Sequence, residues 1–201
     1  MDWYRAFEDR FRGSREDVKA KLRFYEARVR AHLAVQRSAY VECIDFGAGR
    51  GEWTDLLVGW GAKFVTAVEP DDEMCKRGSL RNERAWVYRT PLTALEYLDI
   101  RGSLCDVSLA TAFHMVEHLP RAELPVFIER LHAALGTGAL LIIETPHVTD
   151  WESFESFLTD PTRIAPVPPK LLSFFVEQAG FGQLEVVYPR KGDYAVVARK
   201  V

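Results

Sequence analysis

The amino-acid sequence predicts a doubly wound α/β fold, with a mostly parallel sheet, an N-terminal helical extension and a C-terminal antiparallel hairpin. Three observations lead to this fold class. Short apolar runs of strand type alternate with segments of helical period between residues 40 and 144. The connections between them are short, which favours parallel strands joined by helical crossovers. After residue 180, two strand-like runs are separated only by a short turn, and this predicts an antiparallel pair.

The predicted elements follow a helix over residues 14–36. That helix begins at Ser14, because Asp17 completes a capping-box pattern and apolar residues then recur at helical spacing. We predict strands at 40–46, 64–68, 85–88, 106–112, 139–144, 184–188 and 194–199. We predict further helices at 52–60, 71–78, 93–98, 124–135 and 169–179. The connection 145–169 is long and contains prolines and aromatic residues, so we expect a functional loop there.

Composition excludes several classes of function. The chain has 201 residues and a formal net charge of −3, so it lacks a basic surface and no nucleic-acid partner is expected. The cysteines Cys43, Cys75 and Cys105 form no CxxC pair and are expected to be reduced core thiols. No apolar run has the length of a membrane span, and the N-terminus has no signal-peptide pattern. We therefore expect a cytoplasmic protein without a membrane span.

A glycine-rich run, Asp-Phe-Gly-Ala-Gly-Arg-Gly at residues 45–51, stands between the first strand of the alternating region and its helix. Glycines at Gly47 and Gly49 allow a sharp turn and the approach of a ligand to the backbone. Glu69 follows the next strand, at about the offset of an acid that accepts hydrogen bonds from both ribose hydroxyls. The spacing is GxGxG rather than the GxGxxG of dinucleotide sites. The pattern indicates a nucleoside-containing cofactor and leaves a dehydrogenase as an alternative.

Four segments together resemble the motifs of class I S-adenosylmethionine-dependent methyltransferases. They are the glycine run, Val-Glu-Pro at 68–70, the segment 106–120 and Gly-Ala-Leu-Leu-Ile-Ile-Glu-Thr-Pro at 138–146. The resemblance implies a Rossmann-like methyltransferase domain over residues 39–201, and S-adenosyl-L-methionine as the cofactor with S-adenosyl-L-homocysteine as the product. It implies that the glycine turn holds the methionine part, Glu69 the ribose, and the residues after it the adenine. The cofactor-binding residues expected from it are Asp45, Phe46, Gly47, Ala48, Gly49, Glu69, Pro70, Thr93, Phe113 and His114.

The segment His-Met-Val-Glu-His places three polar side chains together. We predict a helix that begins after the preceding strand, and His114, Glu117 and His118 share one face of it. We predict these three as the catalytic residues, with His118 or His114 as the general base for an acceptor hydroxyl. A role in shaping the pocket stays open as the alternative. The inverted zinc-peptidase motif has the same letters but requires a long helix and a third ligand, and we expect no metal.

A second, narrower resemblance concerns the acceptor. The run 4–15, Asp-Pro-Thr at 160–162 and Pro-Pro-Lys-Leu-Leu at 168–172 resemble bacterial methyltransferases of O-antigen and other surface polysaccharides. This implies O-methylation of a sugar hydroxyl on a glycan or polysaccharide intermediate, with residues 1–38 as a lid segment and helix. The expected acceptor contacts are Tyr4, Arg12, His147, Trp151 and Asp160. Arg163 and His147 depart from the pattern of those relatives. A small acceptor such as a quinone or secondary metabolite, and a non-catalytic cofactor-binding subunit, remain alternatives.

Overall fold

A computed structural model describes residues 6–7, 10–36, 42–72, 74, 86–102, 104 and 106–201 of the protein. Over these residues the chain forms a seven-stranded sheet in the order β3-β2-β1-β4-β5-β7-β6. The strands are β1 Glu42–Phe46, β2 Phe64–Val68, β3 Trp86–Thr90, β4 Val107–Phe113, β5 Leu140–Pro146, β6 Phe181–Arg190 and β7 Asp193–Lys200. The first five are parallel, and β7 runs antiparallel to β5 and β6. The predicted fold class is confirmed.

Helices cover the sheet at positions close to the predicted ones. Their bounds are α1 Arg15–Leu22, α2 Glu26–Ala34, α3 Glu52–Gly59, α4 Ala94–Arg101, α5 Glu123–Ala134, α6 Trp151–Thr159 and α7 Pro169–Gln178. Most of the helix predicted at 71–78 lies outside the described residues, as do Cys75, Cys105 and the first residues of the strands predicted at 40 and 85. None of the helices in the described ranges is long and apolar enough to cross a membrane.

Two apolar clusters fill the two faces of the sheet. Ile44 and Phe46 of β1 belong to one cluster and Cys43 to the other, as the alternation of side chains along a strand requires. The first cluster packs beneath α4, α5 and α7, through residues such as Phe127. The second packs beneath α3 and the N-terminal extension, through residues such as Trp53. The sheet order reverses between β1 and β4, and in such sheets ligands bind beyond the carboxyl ends of the strands at that point.

The N-terminal extension differs from the single helix predicted at 14–36. The capping box at Ser14 is present, but α1 and α2 are separated by a 3₁₀ turn, Arg23–Tyr25. This turn places the Tyr25 ring in the core, with its centroid 5.3 Å from that of Phe113 and 6.0 Å from that of Trp53. Aromatic packing and burial of this tyrosine outweigh the continuity of the helix.

Two further predictions need correction. His114, Glu117 and His118 do not share a helix: His114 has a φ of +50° and precedes a 3₁₀ turn, Val116–His118. Its backbone N–H donates to the Glu144 carbonyl at 2.8 Å, so the chain is still bound to β5 where a helix would have to begin. The connection 145–169 is not a loop throughout, because it contains α6, whose first turn is capped by the Asp150 side chain.

Candidate active site

The glycine turn after β1 adopts backbone conformations that side chains disfavour. Gly47 and Gly49 have φ values of +73° and +50°. The N–H groups of Gly47 and Ala48 donate to the Val68 carbonyl, at 2.8 and 3.2 Å, which ties the turn to the end of β2. A Cβ atom on Gly47 would lie 2.8 Å from side-chain atoms of Met115. Glycine is therefore required here both by the backbone angle and by the close approach of the segment after β4.

Glu69 bridges the glycine turn and the residues after β2. Its Oε2 accepts the Gly49 N–H at 2.8 Å, and its Oε1 accepts the Asp71 N–H at 3.1 Å. A carboxylate accepts hydrogen bonds from hydroxyl groups, which suits Glu69 to a ligand's ribose. It faces a cavity of about 340 Å³ lined by Arg12, Gly47, Gly49, Glu69, Pro70, Asp71, Met74, His114, Met115, His118 and Thr162.

A second, more polar cavity of about 240 Å³ continues from the first on the other side of Gly47. The two share Arg12, Gly47 and His114, so they adjoin at the sheet's switch point. The remaining lining residues of the second cavity are Phe11, Val18, Lys21, Leu22, Asp45, Ala48, Glu52, Trp53, Phe113, Glu144, Ser156, Arg163, Arg190 and Asp193. We call the first the glycine-turn cavity and the second the inner cavity.

Asp45 lies at the base of the inner cavity. Its burial raises the pKa of its carboxyl to about 7, although the Thr111 hydroxyl donates a 3.1 Å hydrogen bond to it. The nearby Glu69 carboxylate raises the pKa further. Because a neighbouring positive charge would favour the ionised form, this position is suited to the cationic part of a ligand.

His114 is surrounded by buried carboxylates. Its Nδ1 lies 3.4 Å from Glu117 Oε1, and its Nε2 lies 3.2 Å from Glu144 Oε1. Burial alone would lower the pKa of His114, but these two carboxylates, with Asp193, raise it to about 9. Burial alone would raise the pKa of the Glu117 carboxyl, because it disfavours the charged form, but the nearby His114 lowers this pKa to about 2. The raised pKa favours the imidazolium form of His114 at neutral pH, with Arg190 Nη2 also 3.2 Å from its Nε2.

Glu144 is also held by two residues that the sequence analysis missed. The Tyr25 hydroxyl donates to its Oε2 at 2.5 Å, and Arg190 Nη2 donates to its Oε1 at 2.5 Å. Arg190 Nε lies 2.6 Å from Asp193 Oδ2. The sequence signal for Arg190 was the short turn between β6 and β7. This turn carries Arg190 and Asp193 to the edge of the sheet where β4 and β5 end.

Within the described ranges, one group of residues has the spacing of a metal site. His114, Glu144 and Asp193 each offer a ligand atom, and these atoms lie within 4.8 Å of one another. The Arg190 guanidinium already pairs with both carboxylates. A metal ion would have to enter beside this positive charge and the His114 imidazolium, so the chemistry of the group disfavours it. The absence of a metal remains a prediction.

His118 belongs to a separate set of hydrogen bonds. Its Nδ1 lies 3.0 Å from the Thr162 hydroxyl, and that hydroxyl donates to Asp160 Oδ1 at 2.6 Å. The Thr162 backbone N–H donates to the same Asp160 oxygen at 3.0 Å. Arg163 follows, with its Nε 3.7 Å from Glu117 and 3.8 Å from Asp160.

The structure brings only some of the predicted acceptor contacts to the cleft. Arg12 lines both cavities, and with Asp160 it lines an outer cavity of about 360 Å³. The other residues of this outer cavity are Phe7, Phe11, Glu152, Glu155, Ser156, Thr159 and Arg163. Trp151 is 74% exposed and lies against Phe154.

Two more predicted residues, His147 and Thr93, lie elsewhere, and the position of a third is not described. His147 packs against the rings of Tyr188 and Tyr194, with centroids 5.3 and 5.6 Å away. Tyr4 lies outside the described residues. Thr93, expected at the adenine, is exposed and caps α4, where its hydroxyl accepts the Glu96 N–H. These positions give His147 and Thr93 structural contacts of their own.

A doubly wound sheet, a glycine turn after β1 and an acid after β2 form a site for a nucleoside-containing cofactor, an arrangement that dinucleotide enzymes also have. The family described as "Methyltransferase domain" matches residues 9–184, and the chain belongs to this family. No curated protein sequence matches with significant similarity.

Solved structures agree with this assignment. A SAM-dependent methyltransferase from Archaeoglobus fulgidus is 25% identical, with a TM-score of 0.83 over 98% of this chain and 100% of its own. An S-adenosylmethionine-dependent methyltransferase from Mesorhizobium loti shares the fold at 14% identity, with a TM-score of 0.65 over 88% of this chain and 97% of its own. Human N-acetylserotonin methyltransferase in complex with SAM shares the fold at 13% identity, with a TM-score of 0.65 over 92% of this chain and 54% of its own. The protein is an S-adenosylmethionine-dependent methyltransferase.

The cleft fits this cofactor. Gly47 and Gly49 line the glycine-turn cavity together with Glu69, which would accept the ribose hydroxyls. Asp45 would face the positive charges of the methionine part, since both it and the turn line the inner cavity. When bound, the cofactor supplies a methyl group made electrophilic by the sulfonium. What the protein must add is the orientation of an acceptor and the exclusion of water.

Proposed function

We propose that the enzyme O-methylates a sugar hydroxyl of a bacterial glycan or polysaccharide intermediate. The observation that carries this proposal is the polarity of the inner cavity beyond the glycine turn. Ser156, Arg163, Arg190 and Asp193 line it there, and Arg190 Nη1 is buried without a hydrogen-bond partner. A planar aromatic acceptor would require a mainly apolar slot, whereas a sugar uses many donors and acceptors. The wall of this cavity supports a hydroxyl-rich acceptor.

The charge of this wall supports an uncharged acceptor. The cations His114, Arg163 and Arg190 of this wall contact four carboxylates. Glu144 and Asp193 line the inner cavity themselves, Asp160 lines the outer cavity, and Glu117 is fully buried. Positive and negative charges therefore nearly cancel. Such a surface orients a neutral molecule through hydrogen bonds without attracting a strongly anionic one.

We also propose that residues 1–38 cover the cofactor and acceptor as a lid, with residues 39–201 as the methyltransferase domain. Phe11 and Arg12 line the inner and outer cavities from this side. Helix α1 is fastened to α3 by ion pairs of Arg15 and Lys19 with Asp55, at 2.9 and 2.7 Å. A cover of this kind would exclude water from the reacting oxygen.

In this proposal the chain's own residues orient the hydroxyl, take up its proton and keep the site dry. Arg190 Nη1 would donate to a ring or hydroxyl oxygen of the sugar, since Glu144 and Asp193 already bind its other nitrogens. The outer cavity would hold the remainder of the acceptor, because it shares Phe11, Arg12, Ser156 and Arg163 with the inner one. The buried carboxylates around His114 hold that side chain as a fixed cation.

The test is transfer of labelled methyl groups from S-adenosylmethionine to a panel of acceptors. The panel contains free and nucleotide-linked hexoses, bacterial oligosaccharides, simple phenols and hydroquinones. Methylated saccharides are expected, with Glu69→Ala as the cofactor-deficient control and Trp86→Ala as a surface control, since Trp86 is 77% exposed. Methylation of phenols but of no saccharide would contradict the proposal. Binding of S-adenosylhomocysteine without turnover on any acceptor would favour a non-catalytic subunit.

A further inference from the structure

We infer that His118 is the general base for the acceptor hydroxyl, and that Thr162 and Asp160 position it by fixing the proton on its Nδ1. This inference rests on the proposed function, because a sugar hydroxyl needs a base where a more acidic acceptor does not.

The direction of these hydrogen bonds determines the state of the ring. An ionised carboxylate can only accept, so the Thr162 hydroxyl gives its single proton to Asp160, at 2.6 Å. The length of this bond is typical of a hydroxyl donating to a carboxylate. The Thr162 oxygen can then only accept from His118 Nδ1, at 3.0 Å, and that nitrogen must carry the proton. In the neutral ring, Nε2 is left as the acceptor.

His118 Nε2 is available to a substrate. His118 lines the glycine-turn cavity together with Met115 and Thr162, and its Nε2 has no hydrogen-bond partner among the residues that the structure describes. The inner cavity, where the sugar is placed, adjoins this cavity at Arg12, Gly47 and His114, and we place the reacting hydroxyl at that junction. His114 cannot take this role, because its two ring nitrogens face Glu117 and Glu144 and its pKa is raised to about 9. The two histidines of the segment thus have different functions: His114 is a fixed cation and His118 is the base.

The relative positions of these residues are set by the backbone. The Glu117 carbonyl accepts the N–H groups of Ile164 and Ala165, at 2.8 and 3.3 Å. These bonds attach the segment after α6 to the 3₁₀ turn that carries His118. Asp160 is held in turn by the Thr162 N–H, at 3.0 Å. We call the hydrogen-bonded chain from His118 through Thr162 to Asp160 the relay. It lies between two segments that backbone hydrogen bonds hold together, and this favours a single orientation of the imidazole.

The proton and electrons balance in this step. The acceptor hydroxyl gives its proton to His118 Nε2 as its oxygen forms a bond to the methyl carbon. The electron pair of the broken carbon–sulfur bond remains on sulfur, which becomes a neutral thioether. One positive charge is thereby moved from sulfur to the His118 imidazolium, where the Asp160 carboxylate stabilises it through Thr162.

The first test is independent of turnover. Long-range ¹H–¹⁵N spectra of the uniformly labelled protein distinguish the two neutral tautomers, and loss of a signal in His118→Gln identifies the resonance of His118. We expect the Nδ1–H form in the wild type and in Thr162→Ser, and a shift toward the Nε2–H form in Thr162→Val. An Nε2–H form in the wild type, or no change in Thr162→Val, would overturn the inference.

The second test uses the saccharide acceptor that gives turnover in the panel. His118→Gln should lower kcat by about 10²–10⁴-fold, the contribution of general base catalysis. Thr162→Val should lower kcat by about tenfold or more with little change in KM, and Thr162→Ser should restore it. A higher KM at unchanged kcat would show that Thr162 only binds substrate and would refute the relay.

The two proposals can fail separately. If only phenols are methylated, the saccharide proposal fails while the tautomer spectra still decide on the relay. If saccharides are methylated and His118 carries its proton on Nε2, the relay fails and the proposed function stands.

Discussion

The Tyr25 hydroxyl donates a 2.5 Å hydrogen bond to Glu144, although 119 residues separate the two along the chain. Both side chains are buried, and Glu144 accepts a second charged hydrogen bond from Arg190. The bond joins the N-terminal extension to β5 directly beside the inner cavity. The extension is thus part of the folded core as well as part of the cavity wall.

Replacing Tyr25 with Phe should destabilise the protein, because the fully buried Glu144 loses one of its three compensating partners, Tyr25, Arg190 and His114. A hydrogen bond to a charged group contributes about 1.5–3 kcal/mol, so the free energy of unfolding should fall by about that amount in urea denaturation. Tyr188→Phe is the matched control, since Tyr188 is 57% exposed, and it should change stability by less than about 0.5 kcal/mol. Equal effects of the two variants would show that the Tyr25 bond contributes nothing specific.

Replacing Gly47 with Ala should abolish binding of S-adenosylmethionine. The added Cβ would lie 2.8 Å from Met115 atoms at a φ of +73°, so either the turn or the segment after β4 must move. Gly59→Ala is the control, because no atom lies within 4 Å of its added Cβ and helix α3 ends at this residue. Calorimetry should show wild-type affinity for the control and no measurable heat for Gly47→Ala. Normal binding by both variants would mean that the turn is not the cofactor site.

The affinity for S-adenosylmethionine should rise with pH through the titration of Asp45. Burial raises the pKa of this carboxyl to about 7, so its protonated fraction falls as the pH passes that value. The ionised form attracts the cationic cofactor, and affinity should therefore increase by about tenfold between about pH 6 and about pH 8. In Asp45→Asn the dependence should flatten to that of the cofactor's own groups. An identical slope in wild type and variant would exclude Asp45 as its origin.

The sequence was most informative where function depends on local backbone form. The glycine turn and Glu69 could be located because a parallel strand, a sharp turn and a helix leave periodic and compositional signals within a few residues. Strand β2 begins and ends at the predicted residues, since its apolar run is bounded on both sides by polar or turn-forming residues. Such features need no knowledge of distant parts of the chain.

Contacts between distant residues could not be predicted. Arg190 and Glu144 are 46 residues apart, and His118 and Thr162 are 44 apart. A shared helical face was the natural expectation for His114 and His118, but a hydrogen bond from the His114 backbone to β5 prevails over it. The two histidines differ only in their tertiary neighbours, which are carboxylates for His114 and the Thr162 hydroxyl for His118. The sequence does not contain this difference.

Removal of divalent metal ions should leave methyl transfer and thermal stability unchanged. His114, Glu144 and Asp193 have the spacing of a ligand set, but Arg190 binds both carboxylates and the raised pKa of His114 keeps its nitrogens protonated. Metal binding would require His114 to lose its proton and Arg190 to leave two carboxylates, and both changes cost free energy. The measurement is activity and Tm after dialysis against a chelator, then after addition of Mg²⁺, Mn²⁺ or Zn²⁺. If activity is lost and one of these ions restores it, the prediction is wrong. His114, Glu144 and Asp193 would then be metal ligands, and Arg190 would have to move away from the two carboxylates when the metal binds.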